Sequence, residues 1–311
     1  MTADLFSGDA GDVTHPWRRL KRGLGEVAFE AISRAALTGP RVDRLARVQP
    51  PLRVLVASVY RPGSLLADAL PLLRSERHDV RLALGSVEGA EGALAEHTVA
   101  SRLSRGKFAN LNRVLAGTGP RALEGLDFDW ILAIDDDLRL PPRFLDRFVA
   151  LCERFKLDLA QPAQSLRSHS AWKVTRRRPA SLVRETRFVE IGPLTAFGRR
   201  AVAELLPFPE LRYGWGLDLH WAAVAAERGW RLGVVDATPV RHEWATVGSA
   251  YPRSDAEAEA ADFLATRPHL PASQAGEVVA VHRRAGRAGA DGAGRDCPEG
   301  DRAGGGGRAA R

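Results

Sequence analysis

The sequence predicts an α/β domain built on a mainly parallel central sheet. Two observations carry this. Short apolar runs of strand length, "LRVLVASVY" at 52–60, "DVRLALGSV" at 79–87 and "FDWILAID" at 128–135, alternate with segments at helical spacing. The runs are apolar without polar alternation, as expected of strands covered on both faces. A third observation places the chemistry: the last run ends in Asp135, Asp136 and Asp137, and in such sheets ligands gather at the carboxyl ends of strands.

The elements follow in order. Residues 14–37, "THPWRRLKRGLGEVAFEAISRAAL", place Trp17, Leu20, Leu24, Val27, Ala28, Ala31 and Ile32 near helical spacing, with Arg18, Arg19, Lys21 and Arg22 at the start. This is an amphipathic helix, either packed on the domain surface or lying on an anionic membrane. Gly23 and Gly25 weaken it under both readings. After the first strand, "RPGSLLADALPLLR" restarts helical spacing, and "GKFANLNRVLAG" is a helix ended near Gly117 and Gly119. Beyond the acidic triplet, "PPRFLDRFVALCERF" opens with prolines suited to a first helical turn. "RFVEIGPLTAFGRRAVAELL" reads as a strand, plain or bulged, leading into a helix. "YGWGLDLHWAAVAAERGW" is a Gly-rich loop entering a helix, and "RLGVVDATPVRHEWATVG" is a late strand followed by a loop. The domain is thus expected over 51–267, behind an extension of 1–50. A Gly/Ala/Arg-rich segment, 268–311, is expected to be a disordered tail.

Composition narrows the class. A chain of 311 residues, 45% apolar and 27% charged, is long enough to bury a large core. Its charge of +7 and pI near 10.1 come from dispersed arginines, so nucleic acid is not the expected partner, and phosphate-bearing small molecules or anionic surfaces satisfy the same charge. The only cysteines, Cys152 and Cys297, form neither a disulfide framework nor a zinc spacing, which suits a reducing compartment. No apolar run reaches the roughly 18 residues of a membrane span, and the first residues lack the order of a secretion signal. A cytoplasmic protein, peripheral at most to the inner face of a membrane, is the expectation.

In an extended segment, side chains two apart share a face, so Asp135 and Asp137 point together and Asp136 points elsewhere. Two such carboxylates raise each other's pKa unless a cation neutralises them. Mg2+ or Mn2+, held by one or two carboxylates and completed by phosphate oxygens and water, is the natural candidate, and it implies a diphosphate clamp. The bland alternative is a solvated acidic turn before a helix.

With these residues in view, "ILAIDDDLRLPPRFL" resembles the D-x-D segment of GT-A nucleotide-sugar glycosyltransferases, family 2 above all. "RGKFANLNRVLAG" is similar to the G-K-x-x-x-L-N stretch that precedes D-x-D there. "YGWGLD" and "GVVDATPVRHEWATVG" resemble the domain of unknown function 707 family. The resemblance spans about 51–250 and implies a GT-A-like three-layer α/β/α sandwich that moves a sugar from a nucleotide diphosphate sugar to a saccharide, lipid-linked or other hydroxyl acceptor.

It also implies roles. Asp137 holds the metal, Asp135 contacts the nucleotide ribose or the metal's water shell, and Asp136 shares either task. His242, after the late strand, completes the metal shell, with a structural histidine as the rival. Asp218 is the base that takes the acceptor proton in an inverting transfer, with an N-cap as the compatible rival. Lys107 and Asn112 contact the donor, assisted by Arg102 and Arg105. Trp215 offers a flat face to a sugar unless it belongs to the core, and Gly214 and Gly216 allow close backbone approach. Glu190 and Thr195 fall near the expected acceptor wall. The basic stretch 167–187 is either a solvated loop or a lid over diphosphate.

Two departures from family 2 stand out. Its D-D-x-S element is replaced by "LALGSVEG", flanked by Asp79 and Glu88, and the Q/R-x-x-R-W signature of processive synthases is absent. Competing classes are a metal-dependent phosphohydrolase using the acidic cluster, and a non-catalytic module of the same fold that binds glycan or an anionic surface.

Overall fold

A computed structural model describes residues 16–36, 38–119, 128–243 and 251–284. Two helices, α1 (Pro16–Ala35) and α2 (Thr38–Val48), precede the first strand. There follow β1 (Arg53–Tyr60), α3 (Leu66–Leu73), β2 (Asp79–Ser86), β3 (Thr98–Ala100), α4 (Lys107–Ala116), β4 (Trp130–Ile134) and the two-residue β5 (Leu138–Arg139). The second half runs α5 (Phe144–Arg154), β6 (Leu159–Gln164), β7 (Val183–Thr186), β8 (Leu194–Gly198), α6 (Arg199–Leu205), α7 (Leu217–Arg228), β9 (Leu232–His242), α8 (Arg253–Ala265) and β10 (Val278–His282).

The strands form one sheet in the order β10-β7-β9-β6-β8-β4-β1-β2-β3, with β5 joined to β9. Strands β4, β1, β2 and β3 are mutually parallel, as are β6 and β9, while β8 is inserted antiparallel between β4 and β6. The expected α/β architecture is therefore the one observed. Successive side chains of β1 show why its run is continuously apolar: Val54 and Val56 enter one core, and Leu55 and Ala57 enter another on the opposite face. The first core is closed by α2, α3 and α5, and the second by α4, α6, α7 and α8. These are the helical layers of an α/β/α sandwich.

The expected helices and strands of the domain all form, but the ends differ from expectation. The segment expected to be a tail from residue 268 continues through a short 3-10 turn, Ala272–Gln274, and then pairs β10 antiparallel with β7. Its Gly and Arg content conceals "VVAVH", five residues rich in β-branched side chains, which finish the sheet edge while His282 meets Glu185 at 2.7 Å. The remainder of that segment, 285–311, lies outside the described residues, as do 244–250 from the loop after the late strand.

The basic stretch 167–187 is packed into the domain rather than forming a detached lid. Arg184 is fully buried, donating from Nε and Nη2 to Asp236 at 2.8 and 2.9 Å, and it also donates to the carbonyls of Val174 and Arg176. Such a pair offsets its desolvation only because its remaining N–H groups are also satisfied.

Candidate active site

The acidic triplet stands where β4 leaves the sheet. Ile134 is the last residue of β4 and lies opposite Ser58 of β1. The backbone N–H of Asp135 then donates to the Pro193 carbonyl at 2.8 Å, which ties the triplet to the loop entering β8. Directly after it, β5 pairs antiparallel with the end of β9, setting Leu138 opposite His242. Residues more than 100 positions apart are thereby brought to one point by two short ladder contacts.

Each of the three carboxylates has its own basic partner. Lys107 Nζ, from the first turn of α4, lies 2.7 Å from Asp135 Oδ1. Arg61, immediately after β1, holds both oxygens of Asp136: Nη2 donates to Oδ1 at 2.6 Å, and Nε and the backbone N–H donate to Oδ2 at 3.0 and 2.8 Å. His242 Nε2 lies 3.0 Å from Asp137 Oδ1. Burial pulls the His242 imidazole down, but the hydrogen bond to Asp137 and the charges of Asp135 and Asp137 outweigh it, so its pKa is raised.

Asp135, Asp137 and His242 each offer a ligand atom, and these atoms lie within 4.8 Å of one another. Two carboxylates and an imidazole form a donor set that suits Mn2+, whose taste for nitrogen exceeds that of Mg2+. The adjoining backbone leaves room: a Cβ on Gly192 would come within 3.0 Å of Lys107 Nζ and 3.2 Å of Asp135 Oδ2. A side chain there would require the ends of Lys107 and Asp135 to shift by a few tenths of an ångström. The residues present therefore fit a divalent cation.

They open into a cleft of about 520 Å³ lined in part by Arg61, Lys107, Glu190, Tyr213, Trp215 and Tyr251. Gly106 makes the approach of α4 possible. Its φ is +97°, and a Cβ there would sit 2.5 Å from the Arg212 carbonyl oxygen. On the far wall, Trp215 is buried in the core yet reaches the cleft, and its Nε1 donates to Tyr251 Oη at 2.9 Å. Trp215 thus belongs to the core and lines the cleft at once.

Two buried carboxyls, Glu190 and Asp218, interact at the cleft's edge and beneath it. Glu190 lines the cleft and accepts from Gln164 Nε2 at 2.9 Å and from the Ala171 N–H at 3.3 Å. Burial and the neighbouring charge of Asp218 push its pKa up to about 8. Asp218, in the first turn of α7, does not line the cleft. Burial raises its pKa to about 7 against the pull of backbone N–H groups, including that of Leu219 at 2.9 Å. The helix is capped by Gly216, so Asp218 is not its N-cap.

Of the residues expected from the sequence, Lys107, Asp135, Asp137, Trp215 and His242 are brought together at the cleft. Asn112 is not. Its side chain donates to the Phe208 carbonyl at 2.8 Å and accepts the Phe208 N–H at 2.9 Å, pinning a loop on the side of α4 away from the cleft. Two residues earlier, Asn110 lines the cleft in its place and accepts the Arg105 N–H at 3.0 Å. Asp136 also lines the cleft, but Arg61 holds both its oxygens, so it braces the turn after β1. Thr195 is buried in β8 and donates to the Glu190 carbonyl. Arg61 and Tyr251 were not singled out from the sequence. Arg61 was accessible in principle as the first cation after a strand that pairs with the acidic one, whereas Tyr251 stands alone in a polar stretch.

No family model matches this chain, and no curated protein matches it. Solved structures similar to it include the mannosyltransferase PcManGT from Pyrobaculum calidifontis in complex with GDP-Man and Mn2+, at 19% identity over 67% of this chain and 65% of that one, TM-score 0.40. S. aureus TarS in complex with UDP-GlcNAc is similar at 14% identity over 68% of this chain and 65% of that one, TM-score 0.45. GalNAc-T7 with UDP, GalNAc and Mn2+ is similar at 12% identity over 62% and 44%, TM-score 0.42. The chain spans less than two thirds of the length of each.

Proposed function

We propose that this chain is a metal-dependent, inverting glycosyltransferase that moves a sugar from a nucleotide diphosphate sugar to a hydroxyl acceptor, saccharide or lipid-linked. The observation that carries the reading is the convergence of Asp135, Asp137 and His242 at the carboxyl end of a parallel strand, beside Lys107 and at the mouth of a cleft large enough for a nucleotide sugar. Asp137 and His242 hold a Mn2+ or Mg2+ ion, with Asp135 as the third ligand or as the partner of its water shell. The bound metal supplies charge compensation to the departing diphosphate.

The protein's own groups do the rest. Lys107, released from Asp135 once that carboxylate has a stronger partner, turns its ammonium to the diphosphate oxygens. Arg61 keeps Asp136 from competing for the same cation. Trp215 and Tyr251 form the apolar wall against which a sugar ring is oriented. The acceptor proton passes to the buried Glu190–Asp218 pair by way of Glu190, the member that lines the cleft, with the two pKa values raised to about 8 and about 7. Direct displacement by the activated hydroxyl inverts the anomeric centre.

The test is calorimetry of UDP and GDP with and without Mn2+, followed by turnover with a panel of nucleotide sugars. Binding is expected only with the metal and is lost in Asp137→Ala. Phosphate release from simple esters without transfer would replace this reading with a hydrolase, and glycan binding with no nucleotide binding would replace it with a recognition module.

A further inference from the structure

The helix α1 is attached to the domain the wrong way round for an ordinary surface helix. Trp17, Leu20, Leu24 and Val27, at i, i+3, i+7 and i+10, make one stripe and are 75%, 54%, 65% and 64% exposed. The only residue of the helix that is buried is Ser33. What holds α1 down is its polar side. Glu26 accepts the Leu166 N–H at 2.6 Å and Arg177 Nη1 at 2.9 Å, Glu30 lies 3.3 Å from Arg177 Nη2, and Ser33 Oγ accepts from the same nitrogen at 3.1 Å. Arg177 is only 8% exposed. Rolling the helix to bury its apolar stripe would strip this arginine of its partners and leave a charge unpaired in the interior. The orientation is thus fixed by the polar contacts of the buried Arg177, and the apolar stripe is held outward.

The charges at the start of the helix add a second feature. Arg18, Arg19 and Lys21 are exposed, and the first turn contains no acidic residue. Cations at a helix N-terminus oppose the macrodipole, so their placement is not explained by the stability of the helix. It is explained by an anionic surface facing them. Lys21 stands one turn from both Trp17 and Leu24, so positive charge borders the apolar stripe directly.

We propose that α1 lies flat on an anionic lipid surface, with Trp17, Leu20, Leu24 and Val27 among the acyl chains and the exposed Arg18 and Lys21 against the headgroups. No helix of the described residues is long and apolar enough to cross a membrane, and a helix of this length, about 30 Å, is suited to lie in the interface. A second copy of the chain fits the stripe less well. Parallel pairing would set Arg18, Arg19 and Lys21 of the two copies together, and antiparallel pairing would offer them only Glu26 and Glu30, which Arg177 already holds. The inference is independent of the reaction assigned above.

The test is co-sedimentation of the full chain with vesicles of phosphatidylcholine alone or mixed with phosphatidylglycerol, at low and at raised salt. Binding to the mixed vesicles, weakened by salt and small on phosphatidylcholine alone, is the expected result. The pair Trp17→Glu and Leu24→Glu is expected to lower the partition coefficient at least about tenfold, because each stripe residue withdrawn from water contributes more than a factor of ten. The pair Arg18→Glu and Lys21→Glu is expected to abolish the preference for the anionic lipid, and thermal unfolding checks that each variant folds. Failure to bind mixed vesicles at low salt, equal binding to both vesicle types, or unchanged binding by a folded Trp17→Glu/Leu24→Glu variant would overturn the proposal. So would a dimer in light scattering that this variant dissolves, which would seat a second copy on the stripe.

Discussion

His242 Nε2 and Asp137 Oδ1 are 3.0 Å apart although 105 positions separate them, because the two-residue strand β5 clips the end of β9 beside the acidic triplet. Under the proposed function, protonation of His242 Nε2 and its ligation of a cation exclude one another. Metal and proton must then compete. Since His242 is shifted toward its protonated form, Mn2+ affinity should fall as pH drops through and below the raised pKa, by up to about tenfold per pH unit. Titration calorimetry at several pH values checks this. His242→Asn should both weaken binding and flatten the profile; an unchanged profile would remove His242 from the ligand set.

The neighbouring aspartates should separate by function. Asp137→Ala removes a proposed ligand and should abolish Mn2+-dependent nucleotide binding. Asp136→Ala instead removes the Arg61 contacts that tie the turn after β1, so it should lower stability by about 1–3 kcal/mol while Mn2+ binding is retained. Paired measurements of urea midpoint and Mn2+ affinity on the two variants distinguish the roles. Loss of metal binding in a folded Asp136→Ala variant would contradict the assignment.

The readable part of this site was what lies along one stretch of chain. Alternating apolar runs and helical segments marked the sheet, and the triplet at a strand end marked the candidate cation site, because local periodicity and charge are written in neighbouring residues. The partners of the triplet are set by pairing across the sheet, and nothing near Asp136 announces Arg61. Asn112 shows the opposite error. Its motif position suggested the donor, but a helix turns 100° per residue, and the residue two places earlier faces the cleft while Asn112 caps the loop at Phe208. Strand β10 was hidden by composition, since five β-forming residues disappear in a window dominated by Gly, Ala and Arg.

The Glu190–Asp218 pair makes stability pH-dependent in a definite direction. Both pKa values are raised on folding, so their neutral forms are favoured by the fold. That contribution is fully present below the ordinary carboxylate values and is lost as pH rises through about 7 for Asp218 and about 8 for Glu190. The metal-free protein should therefore weaken toward alkaline pH. Glu190→Gln should be the more stable protein at and above about pH 8 and should show a flatter urea-midpoint profile. In turnover, Glu190→Gln and Asp218→Asn should each lower kcat by about 10²–10⁴ with donor affinity nearly intact. Full activity in either would exclude that residue from proton transfer.

Arg184 and Asp236 provide the control far from the chemistry. Both side chains are fully buried and the guanidinium is shared between Asp236 and two carbonyls, so removing the carboxylate leaves a charge in the core with nowhere to go. Asp236→Ala should cost about 3–5 kcal/mol. Replacing both residues, Arg184→Met with Asp236→Leu, removes the uncompensated charge and should recover much of that loss. The double-mutant cycle is read by urea denaturation. A single variant as stable as the parent would mean that water or another group reaches Arg184, and the 167–187 segment would then be less firmly seated on the sheet than its packing shows.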